Sequence, residues 1–194
     1  MRIHAIILAA GRGSRMGGPK ALLRFADETF LARSARLLSR PGVDAVTVVL
    51  GHEAERVRRE GALPPEVGVV VNARHDDGMV SSILAGVQAA ESGGADAVLL
   101  HPVDHPLVEM ETVDAVIAAL AGGATIAVPS HAGRRGHPAG FARAAWPALR
   151  AAPPDEGARA VLAAHPEWIA HVPGGPGCRA GINTPEDYRR LIGW

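Results

Sequence analysis

Five short runs, almost free of polar side chains, constrain this chain more than any other feature. They are IHAIILAA (3–10), DAVTVVLG (44–51), VGVVVN (67–72), ADAVLLHP (95–102) and ATIAVPS (124–130). Each is rich in Val, Ile or Leu and lacks a clean apolar–polar alternation, the pattern of a strand covered on both faces. Between them lie longer stretches with helical periodicity, predicted at 29–39, 52–60, 80–91 and 110–121. Strand and helix alternating at this spacing imply βαβ units and a mostly parallel sheet with helices on both sides. Further on, 131–140 reads as a polar loop, FARAAWPALR (141–150) and DEGARAVLAAH (155–165) as short helices, and EWIAHV (167–172) as one more strand. The chain ends in a helix whose start is legible: Thr184 as N-cap, Pro185 at the first position and acids in the first turn. No linker divides the sequence, so 1–194 reads as a single domain.

In open sheets of this class, ligands bind beyond the carboxyl ends of the strands. That rule selects the loops at 10–20, 51–53, 72–82, 101–107 and 130–138, where most of the unusual polar residues fall. Global charge gives no competing direction. Twenty acidic residues balance twenty basic ones, so there is no overall field for nucleic acid or an anionic membrane, and any anion attraction is local. No apolar run is long enough to cross a bilayer. With Cys178 as its only cysteine, the chain cannot form an internal disulfide, which fits a cytoplasmic protein.

The first of those loops, LAAGRGSRMGGPKALL (8–23), is the most informative. Gly11, Gly13, Gly17 and Gly18 let backbone N–H groups approach a ligand, and Arg12, Arg15 and Lys20 add three cations. The combination suits a triphosphate, although an exposed basic turn without a ligand would have the same composition. It is not a Walker loop, because no Ser or Thr follows the lysine, and Met16 stands where a dinucleotide fingerprint needs its third glycine. Lys20 is the only lysine of the chain; the other nineteen strongly basic residues are arginines. Lysine is a compact point charge and arginine a planar fork, so a lone lysine marks a place where the fork would not fit, such as between phosphates.

The stretch Leu8–Lys20 resembles the signature L-A-[AG]-G-x-x-x-R-M-G-x-P-K of the MobA-like NTP transferase family, with molybdenum cofactor cytidylyltransferases as the nearest branch. Other stretches are similar to family motifs in matching order: NARHDDGMVSSILAG (72–86), HPVDHPLV (101–108), RRGHPAGF (134–141), DEGARAVL (155–162) and AGINTPEDY (180–188). The resemblance implies a three-layer α/β/α sandwich with a mostly parallel sheet, similar to the nucleotide-diphospho-sugar transferase fold. It implies transfer of NMP from an NTP to a phosphate monoester, with Arg15, Lys20 and Asp104 as catalytic residues. Leu8, Ala9, Ala10, Gly11, Arg12, Gly13, Arg15, Lys20 and Asn72 would bind the nucleotide; Ser81, Ser82, Arg135, His137 and Arg159 would bind the acceptor. Asp104 and Asn183 would hold Mg²⁺. Asn183 stands where the cytidylyltransferases carry Asp, and offers an amide oxygen without charge; Gly181 replaces another Asp of the same motif. The LAAG form, with Ala10, resembles the CTP-using branch, and the acceptor implied is molybdopterin, with a molybdoenzyme or its maturation factor as partner. Two readings stand beside it: a guanylyltransferase or sugar- or polyol-phosphate nucleotidyltransferase, and a non-catalytic nucleotide or cofactor carrier.

Overall fold

A computed structural model describes residues 1–193; the last residue of the 1–194 span lies outside them. Ten strands and seven α-helices follow the chain in the order β1 (Ile3–Ala9), β2 (Arg24–Phe25), β3 (Glu28–Thr29), α1 (Phe30–Leu38), β4 (Ala45–Leu50), α2 (Ala54–Glu60), β5 (Gly68–Val71), α3 (Met79–Ser92) and β6 (Ala97–Pro102). Then come α4 (Met110–Ala121), β7 (Ile126–His131), β8 (Arg134–Arg135), β9 (Ala139–Ala142), α5 (Trp146–Ala151), α6 (Ala158–Ala164), β10 (Ile169–Pro173) and α7 (Pro185–Ile192). All five apolar runs are strands of one sheet, ordered β10-β7-β9-β6-β1-β4-β5, with β8 paired to β7. β2 and β3 form a separate two-stranded ribbon.

The alternation along β1 shows why these runs carry so few polar residues. Ile3, Ala5, Ile7 and Ala9 enter a core built with Phe30, Leu31, Ala35 and Leu38 of α1 and Val113, Val116 and Leu120 of α4. Ile6 enters a second core with Ile83 and Val87 of α3, Trp146 and Leu149 of α5 and Val161 of α6. Both faces of the sheet are therefore dry, and the fold is the expected three-layer α/β/α sandwich.

Two local expectations are corrected. Residues 131–140 are not a free loop: β8 folds back on β7, pairing Ser130 with Arg135 and His131 with Arg134. The turn between them is Ala132–Gly133, both at positive φ (49° and 72°), which gives the twist a two-residue hairpin needs. Alanine is a poor advertisement for such a turn. Residues 141–150 are not one helix either. Phe141 and Ala142 close β9, a 3₁₀ turn covers Arg143–Ala145, and α5 starts only at Trp146. β9 is antiparallel to both neighbours, β6 and β7. Gly140 within it lies under α4, where a Cβ would come within 2.7 Å of Leu120 and 2.9 Å of Val116.

β1 pairs with β4 on one side and β6 on the other, both parallel. The chain runs outward from β1 through β4 to β5, then returns to place β6 against β1's other edge. The strand order reverses there, and a crevice opens beyond the carboxyl ends.

Candidate active site

That crevice is a cleft of about 520 Å³, within the range of small-molecule sites. Its walls are residues 8–14 at the end of β1 and beyond, Lys20 and Ala21, His75, Asp76, Gly78, Met79 and Ser82 at the start of α3, Pro102–Asp104 at the end of β6, and Asn183.

The glycine-rich loop holds its shape through its own backbone. The Gly13 carbonyl accepts from Met16 N–H (2.8 Å) and Gly18 N–H (3.3 Å). Gly13 has φ 60°, and a Cβ there would collide with the Gly18 carbonyl, so only glycine fits. A Cβ at Gly11, Gly17 or Gly18 would meet nothing within 4 Å. Of these, Gly11 lines the cleft, and its open backbone is free to receive a ligand. Facing the loop is the first turn of α3. It begins at Gly78 without a side-chain cap, and Gly78, Met79 and Ser82 line the cleft. The field at a helix N-terminus favours an anion there.

Lys20 lies at the floor. Its Nζ donates to Asp104 Oδ2 and to Asn183 Oδ1, both at 2.7 Å. The backbone makes this convergence possible: Val103 N–H donates to Leu8 O, and Ile182 N–H donates to Asp104 O at 2.8 Å, bringing Asn183 beside Asp104. Thr184 then caps α7 in a reciprocal box with Asp187, whose Oδ2 also accepts from Asn183 N–H at 3.1 Å. The Lys20–Asp104 pair is about a fifth exposed on each side. Burial pushes the Asp104 carboxyl upward, but the hydrogen bond and charge of His105, together with Lys20, outweigh it and hold Asp104 well below the usual carboxylate range. Asp104 is ionised at neutral pH.

Behind Asp104 lies a group of histidines. His105 Nδ1 is 2.9 Å from Asp104 Oδ1, and its ring meets His137 edge-on at 4.6 Å. His101, at the end of β6, is fully buried and lies 3.3 Å from Ser34 Oγ. Burial, then the neighbouring His105, pushes His101 down to about 3; burial and His105 do the same to His137. Both rings are neutral.

A second ion pair crosses the cleft mouth. Arg12 meets Asp76 through two hydrogen bonds, Nε to Oδ1 at 3.0 Å and Nη2 to Oδ2 at 2.7 Å. No motif singled out Asp76 or His75. Both are reached only because β5 ends beside β4 and brings the following turn over Gly51, where a Cβ would lie 2.5 Å from His75 Cβ and 2.8 Å from Ala10 Cβ.

Among the residues singled out in the sequence, Leu8, Ala9, Ala10, Gly11, Arg12, Gly13, Lys20, Ser82, Asp104 and Asn183 line one cleft. The others do not. Arg15 is exposed on the short turn Ser14–Met16, whose neighbour Met16 packs inward against the core, and Arg15 does not line the cleft. Asn72 is buried with its amide committed, donating to Ser81 Oγ and Ser82 Oγ and accepting from Arg74 N–H. Ser81 Oγ also sits 2.8 Å from the carbonyls of Arg74 and Gly78. These two shape the turn before α3 and do not line the cleft. Arg135 reaches back to the Leu162 carbonyl of α6, the helix that carries the exposed Arg159. His137 packs on His105.

Among the described residues, no group of three or more His, Cys, Asp or Glu side chains could hold a metal ion. Asp104 and Asn183 nonetheless direct two oxygens at one cation, the Lys20 ammonium. Hard oxygen donors of this kind suit Mg²⁺, which takes few protein ligands and completes its shell with water and phosphate.

Residues 5–168 match the model of the MobA-like NTP transferase domain. The chain belongs to that family. Over 139 residues it is 39% identical to 2-C-methyl-D-erythritol 4-phosphate cytidylyltransferase of Thermobifida fusca, covering 66% of this chain and 55% of the relative. It thus spans about half the length of that relative. Over 140 residues it is 36% identical to molybdenum cofactor guanylyltransferase of Cereibacter sphaeroides, covering 72% of this chain and 67% of that one. The solved Rv0371c of Mycobacterium tuberculosis H37Rv in complex with manganese superposes with TM-score 0.81 at 27% identity, over 99% of this chain and 98% of that one. No helix of the described residues is long and apolar enough to cross a membrane.

Proposed function

We propose that this chain is a nucleotidyltransferase that moves NMP from an NTP to a phosphate monoester and releases pyrophosphate. The observation that carries the reading is Lys20 Nζ, held 2.7 Å from both Asp104 and Asn183 at the switch point of the sheet. The acceptor phosphate oxygen attacks the α-phosphorus, and the bond from that phosphorus to the α–β bridging oxygen breaks. Pyrophosphate leaves with the electron pair. The acceptor is already an anion, so alignment and charge neutralisation carry most of the work. The open glycine backbone and the α3 N-terminus receive phosphate oxygens. Arg12 exchanges Asp76 for the triphosphate, and Lys20, released from Asp104 and Asn183, neutralises charge as pyrophosphate departs. Asp104 and Asn183 would hold Mg²⁺, which would offset negative charge on the phosphates.

The specific assignment is CTP as donor and molybdopterin as acceptor, a cytidylyltransferase of molybdenum cofactor maturation that delivers its product to a molybdoenzyme or its maturation factor. Ala10 supports the donor: it stands in the cleft wall, where alanine rather than glycine leaves less room beside the base and favours a pyrimidine over a purine. A guanylyltransferase is the second reading, favoured by Asn183 in place of Asp and by the Cereibacter relative. Pyrophosphate release with CTP or GTP, Mg²⁺ and molybdopterin or 2-C-methyl-D-erythritol 4-phosphate tests both. Preference for GTP would remove the cytidylyl assignment and keep the class. No pyrophosphate with any pair would favour a carrier.

A further inference from the structure

The residue after Asp104 is built into the site more firmly than a loop histidine needs to be. An ionised carboxylate only accepts hydrogen bonds, so His105 Nδ1 carries the hydrogen and donates to Asp104 Oδ1 at 2.9 Å. Asp104's other oxygen, Oδ2, faces Lys20 at 2.7 Å. The two oxygens are thus divided, one to a neutralising cation in the cleft and one to a ring behind it. Two separate segments hold that ring, and a backbone bond fixes the residue that carries it. His137 meets it edge-on at 4.6 Å, from the β8–β9 connection. Gly181 lies against its far edge, where a Cβ would stand 3.1 Å from both Cε1 and Nε2. The backbone N–H of His105 donates to Pro102 O at 3.2 Å. The absence of a side chain at 181 therefore leaves the space that the His105 ring uses.

We propose that His105 is a positioning residue that locks the Asp104 carboxylate, so that Oδ2 stays aimed at the cation that accompanies the triphosphate. This rests on the reading of Asp104 as a ligand of a metal–nucleotide complex. Without the donor at Oδ1, the carboxylate turns about its side-chain torsions and both oxygens compete for Lys20. Partners that orient a metal ligand typically contribute 10- to 100-fold in affinity when removed.

The test is binding rather than turnover. Free Mn²⁺ is followed by electron paramagnetic resonance in the presence of a non-hydrolysable CTP analogue, and thermal unfolding is recorded alongside. His105→Ala is expected to weaken Mn²⁺ binding about tenfold or more. His105→Asn is expected to recover most of it, because its amide nitrogen takes the place of the ring Nδ1. Asp104→Asn reports on the underlying reading. If Asp104→Asn abolishes Mn²⁺ binding while His105→Ala leaves it unchanged, the positioning role is wrong and the reading of Asp104 survives. If Asp104→Asn also leaves binding unchanged, both fall. A His105→Ala variant with a lowered melting temperature and wild-type Mn²⁺ affinity would make His105 merely structural. Should the alanine variant not fold, His105→Phe, which fills the ring's space without the donor, decides in its place: Mn²⁺ binding weakened about tenfold or more supports the proposal, and wild-type affinity overturns it.

Discussion

Lys20→Met keeps the aliphatic stem and removes the charge that Asp104 and Asn183 share. Two consequences follow from the geometry, with different magnitudes. Breaking a fully buried ion pair from one side costs about 3–5 kcal/mol. This pair is about a fifth exposed, and Asp104 keeps its hydrogen bond to His105, so the expected loss of stability is nearer 1–2 kcal/mol. For a chain of this length that is a fall of roughly 2–8 °C in melting temperature. The catalytic loss is larger. One preorganised donor facing charge that develops in the transition state is worth about 2.7–4 kcal/mol, or roughly 10²- to 10³-fold in kcat. Initial rates of pyrophosphate release at saturating CTP, with scanning calorimetry of the same protein, separate the two. Lys20→Arg restores charge but not shape. Two acceptors at 2.7 Å from one nitrogen suit a point charge, and the planar fork is expected to recover stability better than rate. Lys20→Met with wild-type kcat and KM would remove Lys20 from the chemistry, whatever its melting temperature.

Three further outcomes are expected. His101 is neutral and pushed down to about 3 by burial, whereas in the unfolded chain it takes a proton near pH 6.5. Below pH 6.5 the unfolded state therefore binds the extra proton and stability falls with pH, by about 2 kcal/mol at pH 5 for this one group; urea unfolding of wild type and His101→Leu at pH 7.5 and 5 should show the variant losing less, and an equal loss refutes the assignment. Asp76→Ala frees Arg12 from a pair more than half exposed, so stability barely changes while the KM for NTP drops about twofold; an unchanged KM in steady-state assays at low salt means Arg12 does not trade Asp76 for phosphate. Gly13→Ala places a methyl on the Gly18 carbonyl at φ 60°, which should cost about 1–3 kcal/mol and abolish binding of a fluorescent NTP analogue; retained binding would mean that the loop tolerates another path.

The layers of this fold were legible in the sequence because burial on both faces leaves a local mark. A run such as IHAIILAA carries a single polar side chain, His4, partnered by Thr47 Oγ1 at 2.7 Å, because α1 and α4 cover one side and α3, α5 and α6 the other. The helix start at Thr184 and Pro185 was equally local, and appears as a complete capping box. β9 was not legible. Four residues, Ala139–Ala142, two of them alanine, carry no strand signature, and they form one only because β6 and β7 leave a gap that they bridge antiparallel. The same limit applies to the cleft. Composition marked Lys20, and the motif marked Asp104 and Asn183, but their meeting spans 84 and 163 residues of chain and depends on β6 pairing with β1. Which arginine of the first loop borders the cleft was likewise decided by the turn Ser14–Met16, which carries Arg15 away from it while Arg12 reaches Asp76 across its edge. By itself the sequence determined what had to be buried and where backbone had to bend, since hydrophobic pattern, caps and glycines act within a few residues. Only the tertiary structure decided which charges meet, because a side chain's partner is set by strand order, and strand order is a property of the whole sheet.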